Sequence, residues 1–81
     1  MPVTSEGETM GKRLKRLREG AKMTQAELAE RTGIPLGTIR NWEQDVREPR
    51  LGQAVSMARV LGITVDTLAG TDEPPPRRKK R

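Results

Sequence analysis

Leu36, Gly37, Arg40, Asn41 and Gln44 recur at spacings that bring them to one side of a helix of 3.6-residue period, while Ile39 and Trp42 point to the other side. Guanidinium and carboxamide groups on that first side hold partners by hydrogen bonds and charge; they do not break bonds. The chain has no cysteine and no histidine. That removes the thiol and imidazole on which most nucleophilic, general-base and zinc sites depend. Recognition is expected, not catalysis, with no metal and no cofactor.

A second set of polar groups lies upstream. Lys12, Arg13, Lys15, Arg16, Arg18 and Lys22 gather six cations in eleven residues, opposed only by Glu19. Such clustering suits a phosphate backbone, and it also suits a solvated helix face. The formal charge of +5 is less informative. Arg77, Arg78, Lys79, Lys80 and Arg81 supply all of it, because the other basic groups match the acidic ones in number.

Two short amphipathic helices hinged at Gly33 would position the Arg40 face. Thr24 followed by Glu27 is a capping box that starts the first of them, and Met23 can pack on Leu28 as a hydrophobic staple. Ala26, Leu28 and Ala29 offer it a close-packing side, and Gly33 suits a left-handed helix end. Pro35 fits the first turn of the next helix, over 35–44, where its missing N–H is no loss. A helix-turn-helix needs this arrangement to place one helix in a DNA groove, and the 35–44 face is the one expected to meet DNA.

Further helices flank this pair. Met10, Leu14, Leu17 and Ala21 line one side of a helix over 9–21, with Gly20 weakening its last turn. Asp45 to Pro49 is a charged connector, after which Leu51, Ala54, Val55, Ala58 and Leu61 form a stripe up to Gly62. Thr64 caps a last short helix through Val65 and Leu68 that ends at Gly70. Residues 1–8 are expected to form a disordered arm, and 71–81, with three prolines and five cations, a solvated basic tail. No run approaches the roughly 18–20 apolar residues of a membrane span, and no secretory signal is legible at the N-terminus. A single cytoplasmic domain over 9–70 is expected, without a membrane partner.

Three blocks, Thr-Gln-Ala-Glu-Leu-Ala at 24–29, Thr-Ile-Arg-Asn-Trp-Glu at 38–43 and Arg-Val-Leu-Gly-Ile-Thr-Val-Asp-Thr-Leu at 59–68, together resemble the Cro/repressor-like (Xre) family. The resemblance covers about residues 9–70 and implies an all-α, five-helix, lambda-repressor-like helix-turn-helix domain. In that family the helix matching 35–44 enters the major groove of double-stranded DNA, and homodimers read two half-sites about one helical turn apart.

Transferred residue by residue, the resemblance gives Leu36, Gly37, Arg40 and Asn41 as base contacts. An arginine can chelate guanine and an asparagine adenine, whereas Leu36 has only a thymine methyl to touch. Lys22, Thr24, Gln25, Arg47 and Arg50 become phosphate contacts, with Gln25 also bracing the recognition helix. Arg18 and Glu43 match a pair that bridges the first helix to the end of the third, so Arg18 is expected to be structural. Trp42 is expected in the core.

Three positions depart from the family. Gly37 stands where a polar side chain often reads the groove, so direct readout should be sparse. Pro35 replaces a serine or threonine, which leaves Ile34 as a poor capping residue. Asp45 replaces a glycine and sets a negative charge near the DNA backbone, where affinity should suffer.

The function implied is a sequence-specific transcriptional regulator, a repressor acting by steric exclusion, with no small-molecule effector. Ile63, Val65 and Leu68 either pair two copies or close the core. The basic tail either adds nonspecific DNA affinity or keeps the chain soluble. Alternatives are the antitoxin of a toxin–antitoxin pair, with the tail against the toxin, and a protein-binding adapter on the same fold.

Overall fold

The structure, a computed structural model, describes residues 8–70. Residues 1–7 of the arm expected over 1–8, and the tail over 71–81, lie outside the described residues. Five helices follow in order: α1 (Met10–Gly20), α2 (Gln25–Thr32), α3 (Leu36–Glu43), α4 (Leu51–Leu61) and α5 (Val65–Ala69). No strand occurs among the described residues.

Local signals start and stop these helices. Thr24 forms the capping box, its hydroxyl accepting from the Glu27 N–H at 3.0 Å and its own N–H donating to the Glu27 carboxylate at 2.8 Å. Thr9 and Thr64 cap α1 and α5 in the same manner, accepting from the N–H groups of Lys12 and Thr67. Gly33, at φ +76°, closes α2 in the left-handed conformation that glycine adopts without a Cβ penalty.

The start of α3 differs from expectation. Pro35 is itself the N-cap, with extended ψ of 140°, and the helix begins one residue later at Leu36. Ile34 is not a cap: it is buried in the core, and its N–H donates to the Thr32 hydroxyl at 3.2 Å. That hydroxyl also donates to the Leu28 carbonyl at 2.7 Å, so Thr32 ties the turn to the end of α2.

One core unites the five helices: Leu14 of α1, Leu28 of α2, Ile34 of the turn, Ile39 and Trp42 of α3, Met57 and Leu61 of α4, and Leu68 of α5. α1 packs on α3 and α5, α2 on α3 and α4, and α4 on α5. The stripe on α4 keeps Ala54, Ala58 and Leu61 as expected but exchanges Leu51 for Met57. Met57 is fully buried, whereas Leu51, which sits in the first turn beyond the edge of the core, is 73% exposed. Ala26 is exposed as well, so the packing side of α2 narrows to Leu28 and Ala29.

Gly11 sets the closest approach. A β-carbon there would lie 2.6 Å from the Glu43 carbonyl oxygen and nearer still to that of Trp42, so only glycine lets the start of α1 cross the end of α3 at this separation.

Asp45 meets α1 at the same corner. Its backbone is left-handed, φ +62°, and its carboxylate accepts from the Gly11 N–H at 2.9 Å and from the Thr9 hydroxyl. These bonds, Thr9 first, hold the Asp45 carboxyl below its ordinary value, at the helix end where negative charge is favoured. The Asp45 charge is thus bound at the N-terminus of α1. Because the folded-state value is depressed, the stabilisation is complete above the unfolded value and is lost as pH falls through the folded one. Asp45→Asn should therefore melt below the parent at neutral pH, and the gap should close between about pH 5 and pH 2. Thermal melts of both proteins across that range check this, and a gap independent of pH would contradict it.

Candidate nucleic-acid interface

The orientation of α3 is fixed by the carboxylate at its last residue. Glu43 accepts from Arg18 Nε at 2.7 Å and Nη2 at 3.0 Å, a bidentate pair from α1, and from Gln25 Nε2 of α2 at 3.0 Å. Arg18 Nη1 also donates to the Met23 carbonyl at 2.8 Å. Both charged side chains are at least nine-tenths buried, and the Glu43 hydrogen bonds raise the Arg18 guanidinium above its ordinary value. The expected role of Arg18 as a bridge between helices is what the structure shows.

With Ile39 and Trp42 buried, the opposite side of α3 faces outward. Gly37, Arg40 and Gln44 are exposed on it, and Leu36 and Asn41 are half-buried at its edges. The Asn41 carbonyl accepts from the Val46 N–H at 2.9 Å, so the connector leaves α3 in a set direction. Arg47 and Arg50 are exposed on either side of Pro49, beside the N-terminus of α4. There the Gln53 carboxamide oxygen accepts from the Arg50 N–H at 3.0 Å.

The other phosphate candidates lie where α1 gives way to α2. Lys22 is exposed just past α1 with φ +63°, and Thr24 is exposed at the N-cap of α2. The Thr24 hydroxyl uses its oxygen for the cap and retains its proton to donate. Gln25 gives an N–H to Glu43, which leaves a second N–H and its carbonyl oxygen.

Half of the six-cation cluster is paired within the fold. Glu8 pairs with Arg16 at 2.6 Å and Arg13 at 3.5 Å, and Arg18 belongs to Glu43. Hydrogen bonding to Arg16 holds the Glu8 carboxyl below its ordinary value, so this residue, assigned to the arm by sequence, is held on α1. Lys22, Arg40, Arg47 and Arg50 have no ion pair among the described residues; the same is true of Lys12, Lys15, Arg31 and Arg59. Of the first group, Arg40 lies on the outward side of α3, Lys22 precedes α2, and Arg47 and Arg50 follow α3 in the connector to α4.

Left-handed backbone at a non-glycine residue costs about 1–2 kcal/mol, so Lys22→Gly should leave the domain as stable or up to about 1 kcal/mol more so. If Lys22 meets a phosphate, the same variant should lower the slope of log affinity against log salt by about 1. Chemical denaturation and a salt titration of duplex binding test the two effects separately. An unchanged slope would remove Lys22 from the interface.

Residues 14–68 match the family model described as helix-turn-helix. An uncharacterized HTH-type transcriptional regulator of Bacillus subtilis (strain 168), YobD, is 34% identical over 70 residues, spanning 85% of this chain and 62% of that protein. The HTH-type transcriptional regulator ImmR of the same organism is 35% identical over 65 residues, 80% of this chain and 51% of the relative. The immunity repressor protein of Bacillus phage phi105 is 33% identical over 64 residues, 79% and 44%. The chain thus spans from under half to just over three fifths of the length of these relatives. No solved structure matches. The matched span, from Leu14 to Leu68, runs from the first buried side chain of the core to the last, and the chain belongs to the Cro/repressor-like (Xre) helix-turn-helix family.

Proposed function

We propose that the chain is a sequence-specific DNA-binding transcriptional regulator, a repressor, that lays α3 in the major groove and acts as a homodimer. The observation that supports this best is the outward side of α3, where Arg40 has no ion pair among the described residues while the helix beneath it is clamped by Glu43 to α1 and α2. A helix clamped before binding does not have to be ordered when it meets DNA, which leaves only the Arg40 side chain to be fixed. Arg40 and Asn41 read base edges, and Leu36 and Gly37 lie against the same base pairs. Lys22, Thr24, Gln25, Arg47 and Arg50 hold phosphates on either side, fixing register without reading sequence. Occupation of a promoter then excludes competing proteins; the relatives named as regulators and as an immunity repressor support that reading.

The proposed dimer surface keeps Val65 of the residues singled out by sequence. Leu68 is fully buried and closes the core. Val65 and Leu68 both line a largely apolar hollow with Met10, Pro49, Leu51, Ala54 and Ala69, with Glu48 also at its wall and Leu51 exposed. A two-fold pairing that covers this hollow would double the base contacts. The protein acts by binding alone, with no cofactor or effector, in the cytoplasm on the nucleoid; no helix among the described residues is long and apolar enough to cross a membrane.

Selection of bound duplexes from a random pool tests the proposal. A palindrome with half-sites about 10–10.5 base pairs apart is expected. An unpaired half-site would remove the dimer, and no enrichment at low salt would remove the regulator.

A further inference from the structure

Gly37 occupies the second position of α3, and nothing in the fold requires glycine there. Its φ is not positive, and a β-carbon built on it would meet no atom within 4 Å. Gly11, in contrast, is demanded by the backbone of α3. Glycine lowers helix propensity relative to alanine, so bare backbone at an exposed, uncrowded position is favourable where another molecule must come close.

The neighbours indicate what that molecule presents. Pro35 caps α3, Leu36 follows it half-buried, and Gly37 is exposed, so this end of the outward side has no side chain able to hydrogen-bond until Thr38. Arg40, Asn41 and Gln44 make the remainder of that side polar. Side chains on a helix lean toward its N-terminus, and the missing side chain at 37 keeps the space in front of Arg40 clear. In the major groove the thymine 5-methyl is the apolar group that base pairs offer.

Resting on the DNA-binding reading above, we propose that Leu36 and Gly37 form a flush apolar seat for a thymine methyl. Gly37 brings the α3 backbone into van der Waals contact with that base pair, so its lack of a side chain specifies sequence. A β-carbon at 37 would hold the helix off the base, although the isolated protein has room for it.

The experiment uses the full chain and the duplex recovered by selection, with each thymine of a half-site replaced in turn by deoxyuridine, which removes only the methyl. One replacement should weaken binding by about fourfold, the worth of one buried methyl group. Gly37→Ala should raise the melting temperature by about 3–6 °C. The same variant should bind the thymine duplex on the order of tenfold more weakly and lose its response to the deoxyuridine replacement. Unchanged affinity of Gly37→Ala, indifference to every deoxyuridine, or two effects that simply multiply would overturn the seat and leave the regulator reading in place. Failure of the unaltered chain to select any duplex would overturn both, and that result is read before any variant is made.

Discussion

Glu43→Ala is expected to destabilise the domain by about 3–5 kcal/mol, because it leaves the Arg18 guanidinium buried without its counter-charge. Arg18 is only 7% exposed, and without Glu43 its remaining hydrogen-bond partner is the Met23 carbonyl. A domain of this size has about 5–15 kcal/mol of total stability, so the loss approaches the lower limit of what holds it folded. Urea denaturation of parent and variant measures it; a change below about 1 kcal/mol would show the pair to be a weak surface bridge. Stability is only part of the expected result. Arg18→Met combined with Glu43→Met replaces the ion pair by apolar groups of similar reach and should recover much of the loss. The double variant should nonetheless bind DNA more weakly than the parent, because Gln25 of α2 then loses the carboxylate that ties it to α3. Recovery of both stability and affinity would mean that Glu43 has no part in setting the angle of α3.

Gly11→Ala should lower stability by about 2–3 kcal/mol, although alanine gains roughly 1 kcal/mol over glycine in a helix interior. Propensity and packing have opposite signs here, which makes the experiment decisive. The obstructing atoms are the main-chain carbonyl oxygens of Trp42 and Glu43, and a backbone cannot step aside as the tip of a long side chain can. Relief requires the start of α1 to lift from the end of α3, which strains the bond from the Gly11 N–H to Asp45 and the Arg18–Glu43 pair together. A fall in melting temperature of about 10 °C or more is expected in a calorimetric scan. An unchanged or raised value would show the contact to be looser than the structure has it.

Much of the site was legible because its signals are local. Thr24 and Glu27 stand three apart, Gly33 marks a left-handed end, and the spacing of Ile39 and Trp42 fixes which side of α3 is buried. The Arg18–Glu43 bridge came from the family resemblance and could not have come from spacing. What stayed hidden depends on partners distant in sequence. Asp45 bonds residues 34 and 36 positions away, and nothing near it announces that its charge serves α1. Gly11 reads as a weak helix former until the carbonyls of another helix are placed beside it. The six-cation cluster looked like one basic surface because sequence does not reveal that Glu8 folds back onto Arg13 and Arg16. On α4, apolar residues recur densely enough to allow more than one phase, and only the position of the core selects Met57 over Leu51.

In the proposed complex the outward side of α3 reads base pairs while Lys22, Thr24, Gln25, Arg47 and Arg50 hold phosphates. Equilibrium binding of the double variant Arg40→Ala, Asn41→Ala to the selected duplex and to a scrambled one, each over a range of salt concentrations, tests it most directly. Preference for the selected duplex should fall by at least about tenfold per half-site, while binding to the scrambled duplex persists with a salt slope no more than about 1 shallower per half-site. An undiminished preference for the selected sequence would contradict the claim, since base recognition would then reside elsewhere on the molecule.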